Sequence, residues 1–200
     1  MDPKRIIVGM TGASGSIFGV RLLQALAGTG VETHVIASKW AQRTMEHETS
    51  LTLETLKELA DVYYGPGDMG AKVSSGSFVT EGMVIVPCSA RSVAAIANGF
   101  GEHLIHRAAD VILKERRPLV LAVRETPLND IHLENMLKLS RMGVTILPPV
   151  PAFYNHPKTL DDMINHIVVR ILDQFGIDTG SANRWNGDMK NSSPRVQRVK

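Results

Sequence analysis

The sequence predicts an α/β fold in which helices wind around both faces of a single parallel sheet, in one domain. Two observations predict it. Short apolar runs rich in β-branched residues alternate along the chain with segments of helical period, which is typical of βαβ units. The first of these runs passes through a short turn of small residues into a helical segment. The length of 200 residues, with 44% hydrophobic residues, suits one domain with a sizeable core.

The first strand and the turn that follows it carry the strongest local signal. Residues 5–10 form an apolar, β-branched run typical of a buried strand. The small residues at 11–16 let the backbone turn tightly, and residues 20–26 have the pattern of a helix. Such a turn would present unpaired N–H groups and the positive end of the helix dipole, which favours a phosphate-bearing cofactor.

A nicotinamide dehydrogenase is the familiar alternative, and three features argue against it. The glycines after the first strand have the spacing G-x-x-G-x-x-x-G rather than G-x-G-x-x-G. The second strand ends at Ala37 and Ser38, where a dinucleotide site uses an acidic residue for the adenine ribose. Tyr154 and Lys158 have the spacing of a short-chain dehydrogenase pair, but Pro157 disfavours the helix that this pair requires. A phosphate-bearing mononucleotide fits better than NAD.

The rest of the N-terminal half contains one further strand, two helices and a long loop. The second strand is predicted at 32–36, and Ser38 is placed to cap a helix over 39–47. A short helix is predicted at 53–59. Residues 65–82 are rich in Gly and Ser and have little periodic signal, so we expect a long loop of the kind that is often functional or mobile.

The next strands and helices alternate regularly. Strands are predicted at 83–87 and 119–123, with helices at 92–98 and 104–114 between them. The second of these helices has apolar residues at i, i+3, i+4, i+7 and i+8, the stripe of a packed helix: Ile105, Ala108, Ala109, Ile112 and Leu113.

The C-terminal part adds a helix at 130–142, a strand at 144–147 and a long final helix. Thr159 and Asp162 have the spacing of a capping box at the start of that helix. One long apolar stripe follows: Leu160, Met163, Ile164, Ile167, Val168, Ile171, Leu172 and Phe175. We expect a single domain over residues 1–187.

The net charge of +2 is unevenly distributed. The last 17 residues contain five cations, Arg184 among them, and one acid, so the body that precedes them is mildly acidic. Such a body is poor evidence for nucleic-acid binding, and we predict none. Residues 188–200 have no apolar period, and we expect a basic, disordered tail there.

The single cysteine, Cys88, excludes an internal disulfide framework and suggests a reducing compartment. With no signal-peptide pattern and no apolar run near the roughly 18 residues of a membrane helix, we expect a cytoplasmic protein. Cys88 has no basic neighbour in sequence that would activate it as a nucleophile. The seven histidines contain no H-E-x-x-H; His103 and His106 could share a helix face but lack further ligands, so we predict no metal site.

Polar or small residues follow four of the predicted strands, at 11–14, Ser38, 89–92 and 124–125. Because the carboxyl ends of parallel strands meet at one edge of the sheet, these loops are expected to form one crevice. Simpler explanations exist for each residue: Ser14, Ser38 and Ser92 are suitable helix caps. Arg124 is suitable for a surface ion pair. Their shared position in the predicted topology favours the functional interpretation.

Several longer stretches together resemble the bacterial UbiX/Pad1 flavin prenyltransferases, in order, over about residues 4–187. The most specific are Lys114-Glu115-Arg116-Arg117-Pro118 and His132-Leu133-Glu134-Asn135-Met136-Leu137. The others are Thr11-Gly12-Ala13-Ser14-Gly15, Pro87-Cys88-Ser89, Arg107-Ala108-Ala109-Asp110-Val111, Arg124-Glu125-Thr126-Pro127, Pro151-Ala152-Phe153-Tyr154 and Arg184-Trp185. The first of these others is weak alone, because flavin-dependent cysteine decarboxylases share it.

The resemblance implies a Rossmann-like flavoprotein fold and a transferase activity. Such proteins join a dimethylallyl group, from dimethylallyl phosphate, to N5 and C6 of reduced FMN. The prenylated FMN is the cofactor of a separate UbiD-type decarboxylase. The resemblance also implies a homododecamer in which neighbouring subunits share each active site.

The resemblance assigns roles to residues of this chain. Catalysis and proton handling are expected from Ser14, Glu48, Lys114 and Glu125. FMN binding is expected from Gly12, Ala13, Ser14, Ser38, Ser89, Ala90, Arg91, Ser92 and Arg124. Binding of the dimethylallyl phosphate is expected from Arg107, Lys114, Arg124, Tyr154 and Arg170, because cations and hydrogen-bond donors stabilise a departing phosphate without metal.

Two alternatives remain open. The chain could itself be an FMN-dependent decarboxylase of aromatic acids, phenolic, phenylacrylic or hydroxybenzoic. It could also be a non-catalytic FMN carrier or subunit for a partner decarboxylase, which would not need the cationic residues. From the residues alone, Arg170 at the margin of an apolar stripe is more typical of a surface arginine whose stem covers the core.

Overall fold

The computed structural model describes residues 3–180. Within them, six strands form one wholly parallel sheet in the order β3-β2-β1-β4-β5-β6. The strands are β1 (Lys4–Met10), β2 (Val31–Ala37), β3 (Val62–Tyr64), β4 (Gly82–Cys88), β5 (Leu119–Val123) and β6 (Thr145–Ile146). The strand order reverses between β1 and β4, which confirms the prediction of a doubly wound parallel sheet.

Helices cover both faces of this sheet. They are α1 (Ser16–Leu26), α2 (Lys39–Glu48), α3 (Leu53–Leu59), α4 (Ala90–Ala97), α5 (Leu104–Lys114), α6 (Asp130–Arg141) and α7 (Leu160–Asp173). Helix α1 packs with α2 and α7 on one face, and α4 packs with α5 and α6 on the other. Each face buries its own apolar cluster, as a parallel sheet requires. None of the helices in this part of the chain has the length and apolarity to cross a membrane.

The predicted elements lie close to the observed ones. The helices at 53–59 and 104–114 and the strand at 119–123 match at both ends. Helix α1 begins four residues before the predicted helix, and α4 begins two residues early, at Ala90. The agreement follows from local signals, since periodicity and capping act within a few residues of each position.

The predicted capping box at the start of α7 is present, but the predicted apolar stripe is wrong at its first residue. The Asp162 N–H donates to Thr159 Oγ1 at 3.1 Å. Leu160, however, is 72% exposed, and the buried part of the stripe begins only at Ile164. The first turn of α7 extends past the core, so an apolar residue there has nothing to pack against.

The edge strand β3 was not predicted from the sequence. Its three residues are all only half-buried, so neither an apolar run nor a clean alternation marks them. Residues 65–82 form a loop as predicted, apart from a 3-10 turn at Lys72–Ser74 and Gly82, which begins β4.

Gly19 allows α1 to lie close to β4. A Cβ atom at this position would lie 2.8 Å from the Val86 carbonyl oxygen and 2.7 Å from Met10 Cε. A larger residue would push α1 away from β4. The approach keeps the turn after β1 beside the end of β4, where the candidate site lies.

Candidate active site

A cavity of about 540 Å³ opens at the carboxyl ends of β1, β2 and β4. It lies where the strand order reverses, the position at which doubly wound sheets bind ligands. Its volume falls in the range of about 300–1,000 Å³ that is typical of small-molecule sites. Six of its lining residues come from the strand-end loops that the sequence analysis selected: Thr11, Gly12, Ser38, Ser89, Arg91 and Ser92. Three of the four predicted strand-end loops therefore meet at this cavity, and the fourth, at 124–125, does not line it.

Hydrogen bonds tie the loops around this cavity to one another. The Thr11 hydroxyl donates to the Pro87 carbonyl oxygen at 2.8 Å and accepts from the Ser89 N–H at 2.8 Å. The Ser38 N–H donates to the Met10 carbonyl oxygen at 3.0 Å. Because Thr11 is buried, its hydroxyl holds the ends of β1 and β4 in fixed register.

Two helices begin at the cavity, each capped by a serine. The Ser38 hydroxyl accepts from the Ala41 N–H at 3.0 Å at the start of α2. At the start of α4 the cap is Ser89, which accepts from the Ser92 N–H at 3.3 Å. Ser92 is thus not the cap that its position suggested. Since Ser38 and Ser89 also line the cavity, capping and ligand contact are compatible roles for them.

The side chain of Glu48, the last residue of α2, lies at the N-terminus of α1. Its carboxylate accepts from the Gly15 N–H at 3.0 Å and from the Ser16 N–H at 3.0 Å. Burial raises the pKa of Glu48, but hydrogen bonds from the Ser14 hydroxyl and these two N–H groups outweigh burial and leave the pKa below its ordinary value. The turn after β1 was expected to offer these N–H groups to a phosphate; an internal carboxylate holds them instead.

Six of the residues that line the cavity were not predicted as site residues from the sequence: Lys39, Trp40, Pro66, Gly67, His103 and His106. The Gly and Ser-rich composition at 65–82 was the one local signal for the two loop residues among them. The others lie on α2 and at the start of α5, and no sequence spacing connects those two helices.

The lining fits a flavin mononucleotide. Serine hydroxyls and helix N-termini suit phosphate and polar flavin atoms. Trp40 and Pro66 supply apolar surface for a ring system. The Nδ1 atom of His106 is buried and has no hydrogen-bond partner among residues 3–180.

Arg107 and Lys114 lie outside this cavity, on α5. Arg107 Nε donates to the Ser74 carbonyl oxygen at 3.2 Å, and Lys114 pairs with Glu115. Helix α5 starts at the cavity and runs 11 residues away from it, about 16 Å at 1.5 Å per residue. Arg117 donates to the carbonyl oxygens of Gly76 and Phe78 in the same loop. We call Arg107, Lys114 and Arg117, together with the backbone of residues 74–78, the α5 cluster.

Tyr154 and Arg170 form a third group beside the outer face of α7. The Tyr154 ring meets the His166 ring edge-on, with the Tyr154 hydroxyl 3.4 Å from His166 Nε2. Arg170 Nη1 donates to the Asp173 carboxylate at 2.6 Å and is half-exposed. The surface position expected of Arg170 from the residues alone is therefore observed in the single chain.

Arg124 and Glu125 follow β5 at the same sheet edge as the cavity. The Arg124 N–H donates to the Cys88 carbonyl oxygen at 2.9 Å, which joins this loop to the end of β4. Both side chains are exposed, and the Glu125 carboxylate accepts from the Thr126 N–H at 3.2 Å. Neither side chain lines the cavity, and Ala13, Ser14 and Ala90 do not line it either.

The remaining expectations concern thiol and metal chemistry. Cys88 is buried, and burial raises the pKa of its thiol far above its ordinary value. This agrees with the expectation that Cys88 is not a nucleophile. Across residues 3–180, no three His, Cys, Asp or Glu side chains are grouped so that they could hold a metal ion. Arg184, Trp185 and the tail at 188–200 lie outside the described residues.

Comparisons with known proteins agree with this geometry. Residues 1–172 match the family described as Flavoprotein. A probable UbiX-like flavin prenyltransferase of Bacillus subtilis (strain 168) is 58% identical over 183 residues, which cover 92% of this chain and 90% of the relative.

Two solved structures are similar over their whole length. AnUbiX (PadA1), crystallised with FMN and dimethylallyl pyrophosphate, is 50% identical with a TM-score of 0.92, covering 94% of this chain and 100% of that one. A dodecameric FMN-dependent UbiX-like decarboxylase from Escherichia coli O157:H7 is 55% identical with a TM-score of 0.90, covering 92% and 100%. The fold, the cavity and these similarities lead to one conclusion: the chain belongs to the flavoprotein family and, within it, to the UbiX/Pad1 flavin prenyltransferases.

Proposed function

We propose that this protein is a metal-independent flavin prenyltransferase. It breaks the allylic C–O bond of dimethylallyl phosphate and joins the dimethylallyl group to N5 and C6 of reduced FMN, closing a fourth ring. The prenylated FMN then serves a UbiD-type decarboxylase. The observation that carries this proposal is the cavity at the sheet's switch point, whose donors and apolar surface fit FMN in a chain of this family.

The departing phosphate needs positive charge around it. Arg107, Lys114, Arg124, Tyr154 and Arg170 are the proposed donors, and in one chain they lie outside the cavity. The proposal therefore includes a homo-oligomer, a dodecamer, in which neighbouring copies complete each cavity. The dodecameric relative from E. coli O157:H7 supports this assembly.

Ring closure at C6 requires that a proton leaves the flavin, and phosphate departure is helped by a proton donor. We assign these steps to Ser14, Glu48 and Glu125. The assignment of Glu48 follows the resemblance, and its carboxylate lies at the turn after β1, where it accepts from the Gly15 and Ser16 N–H groups. The Ser14 hydroxyl is bonded to it and links the carboxylate to the loop beside the cavity.

A second candidate is direct FMN-dependent decarboxylation of an aromatic acid, favoured by the description of the E. coli O157:H7 relative as a decarboxylase. Cys88, the single cysteine, gives this chemistry no help because its thiol is buried. A purely FMN-carrying subunit would have no use for the cations of the α5 cluster.

One experiment separates the candidates. The purified protein is incubated without oxygen with reduced FMN and either dimethylallyl phosphate or its diphosphate, and the extracted flavin is analysed by mass spectrometry. We expect a flavin heavier by one five-carbon unit. A parallel reaction with a phenolic acid and FMN alone should release no CO₂. CO₂ release there, without a change in flavin mass, would support the decarboxylase instead.

We also propose a cytoplasmic location, because the chain has a single cysteine and so needs no oxidising compartment for a disulfide.

A further inference from the structure

The loop that follows β3 lies against α5, and two arginines hold its backbone there. Arg117 Nη2 donates to the Gly76 carbonyl oxygen at 2.8 Å, and Arg117 Nη1 donates to the Phe78 carbonyl oxygen at 2.9 Å. Arg107 Nε donates to the Ser74 carbonyl oxygen at 3.2 Å. Three carbonyl oxygens of residues 74–78 therefore accept from guanidinium groups, two of them from Arg117.

A strained turn at the end of α5 fixes the backbone from which Arg117 reaches the loop. Arg116 follows the C-cap residue Glu115 and has a φ of 54°, in the left-handed region that favours glycine. The Arg116 N–H donates to the Leu113 carbonyl oxygen at 3.0 Å. The Arg117 N–H donates to the Ile112 carbonyl oxygen at 3.0 Å, which closes the helix. Such a conformation at an arginine costs free energy and persists because the surrounding structure holds it.

Inside the loop, Gly76 lies directly against the Lys114 side chain. A Cβ atom at Gly76 would lie 2.8 Å from Lys114 Nζ and would overlap the Glu115 carboxylate, with which Lys114 is paired. The position of the loop therefore limits where the Lys114 ammonium can lie. A shift of the backbone at Gly76 would either crowd this ion pair or open a gap beside it.

The other end of the loop is held by different contacts. The carbonyl oxygen of Pro66, which lines the cavity, accepts from the Leu104 N–H at 2.9 Å. Ala71 and Val73 are buried in the apolar cluster beneath α5. Because none of these contacts involves Arg117, the loss of its two bonds should loosen the far end of the loop and leave the cavity wall in place.

We propose that Arg117 is a positioning residue of the phosphate site. By holding the carbonyl oxygens of Gly76 and Phe78, it keeps the loop against Lys114 and so fixes the ammonium that stabilises the departing phosphate. This rests on the proposed function, which assigns phosphate binding to Arg107 and Lys114. A planar guanidinium donates to two oxygens in a fixed fork, whereas a lysine ammonium is a single compact charge without that geometry.

Separate measurements of the binding of the two ligands test the proposal. The dissociation constant of dimethylallyl phosphate is measured by calorimetry on protein that holds oxidised FMN, because the proposed reaction needs reduced FMN. The dissociation constant of FMN is measured by quenching of flavin fluorescence. We expect Arg117→Gln to weaken dimethylallyl phosphate binding by about two- to tenfold and to leave FMN binding unchanged. Arg117→Lys keeps the charge without the fork, and it should weaken dimethylallyl phosphate binding in the same range.

Arg116→Gly is the matched control, since it removes a neighbouring exposed charge and suits the left-handed turn. It should leave both dissociation constants unchanged. Wild-type affinity for dimethylallyl phosphate in Arg117→Gln or in Arg117→Lys would overturn the proposal. So would an equal loss in Arg116→Gly, because overall charge would then explain the effect. An equal loss of FMN affinity in Arg117→Gln would also overturn it, because the whole loop would then have moved.

A second variant keeps the arginine and disturbs the same contact. Gly76→Ala places a methyl group against the ends of two flexible side chains, Lys114 and Glu115, so the fold should persist. It should weaken dimethylallyl phosphate binding and leave FMN binding unchanged. Gly70→Ala, in the same loop, should be silent, because its Cβ atom would lie 3.8 Å from the nearest atom beyond its chain neighbours. Wild-type affinity in Gly76→Ala would contradict the proposed role of the loop.

Failure of the proposed function gives a different result. In that case the wild-type protein itself would bind no dimethylallyl phosphate, or would form no prenylated flavin from reduced FMN. Failure of the positioning role leaves wild-type binding and product formation intact and removes only the difference between the Arg117 variants and their control.

Discussion

The cavity and the α5 cluster differ in how their polar groups are held. Beside the cavity, the buried Thr11 hydroxyl joins the ends of β1 and β4 through two hydrogen bonds, to Pro87 and from Ser89. In the α5 cluster, the exposed Lys114 and the half-buried Arg107 pair with acids close to them in sequence, Glu115 and Asp110.

The difference separates what one chain completes from what it leaves open. The residues that line the cavity come from loops of one chain, whereas the donors proposed for the phosphate lie outside that lining. The exposed ion pairs of the α5 cluster contribute little to stability in water, so they can change partners when another surface covers them. Contiguous motifs mark both regions in the sequence, and only the fold shows that the two regions lie apart.

The largest expected effect is that of Glu48→Gln, although Glu48 lies at the turn after β1 and does not line the cavity. We expect turnover to fall by about 10² to 10⁴, because the amide cannot accept a proton. FMN affinity should stay close to wild type, since Gln keeps an oxygen for the Gly15 and Ser16 N–H groups. Steady-state rates and FMN titration check both values. Glu46→Gln, at an exposed position of the same helix, is the matched control and should leave turnover unchanged. Wild-type turnover in Glu48→Gln would show that Glu48 takes no part in the chemistry.

Lys114→Ala tests the other region. Turnover below saturation should fall by more than tenfold, because a charge-assisted bond to phosphate contributes about 1.5–3 kcal/mol and tenfold is about 1.4 kcal/mol. FMN affinity should not change, because Lys114 does not line the cavity. Lys57→Ala removes a comparable exposed ion pair with Glu54 and should be silent. Weakened FMN binding in Lys114→Ala would contradict the separation of the two regions.

Co-expression of Lys114→Ala with Glu48→Gln tests whether the two regions meet between subunits. If neighbouring copies complete each cavity, mixed oligomers contain some sites with both residues intact. Activity should then exceed that of either variant alone. Mixed oligomers that stay as inactive as the separate variants would place both residues in the same chain's site.

Thr11→Val tests the hydrogen bonds that join the ends of β1 and β4 beside the cavity. The substitution keeps the shape and removes a buried hydroxyl that donates to Pro87 and accepts from Ser89. We expect a loss of about 1–3 kcal/mol in the free energy of unfolding, because the Ser89 N–H loses its acceptor. Urea unfolding measures it. Thr126→Val, at an exposed position, is the control, and equal stability of the two variants would show that the loops need no such tie.

The smallest expected effect is a pH dependence of stability from Glu48. Its pKa in the folded protein lies below the ordinary value of 4.5, so its contribution is present above that value and is lost as pH falls through the folded pKa. The difference in unfolding free energy between wild type and Glu48→Gln should therefore be constant near neutral pH and shrink below about pH 4. A difference that grows on acidification would contradict the hydrogen bonds to Gly15 and Ser16.

The sequence by itself determined the alternation of elements and the positions of the strand-end loops. Helix α3 and strand β5 were predicted to the residue, and the Thr159 capping box is present. These features depend on signals within about four residues, such as periodicity, capping and turn composition. The motifs that indicate the family are likewise contiguous stretches.

Tertiary structure alone decided which side chains meet. Glu48 reaches the start of α1 from 32 residues away, and His106 reaches Ser92 between two helices. The half-buried strand β3 becomes a strand only by pairing with β2. The separation of Lys114 from the cavity follows from the direction in which α5 runs. Such contacts depend on strand order and helix direction, which no local pattern encodes, and so the sequence could name the residues of the site without showing how they are grouped.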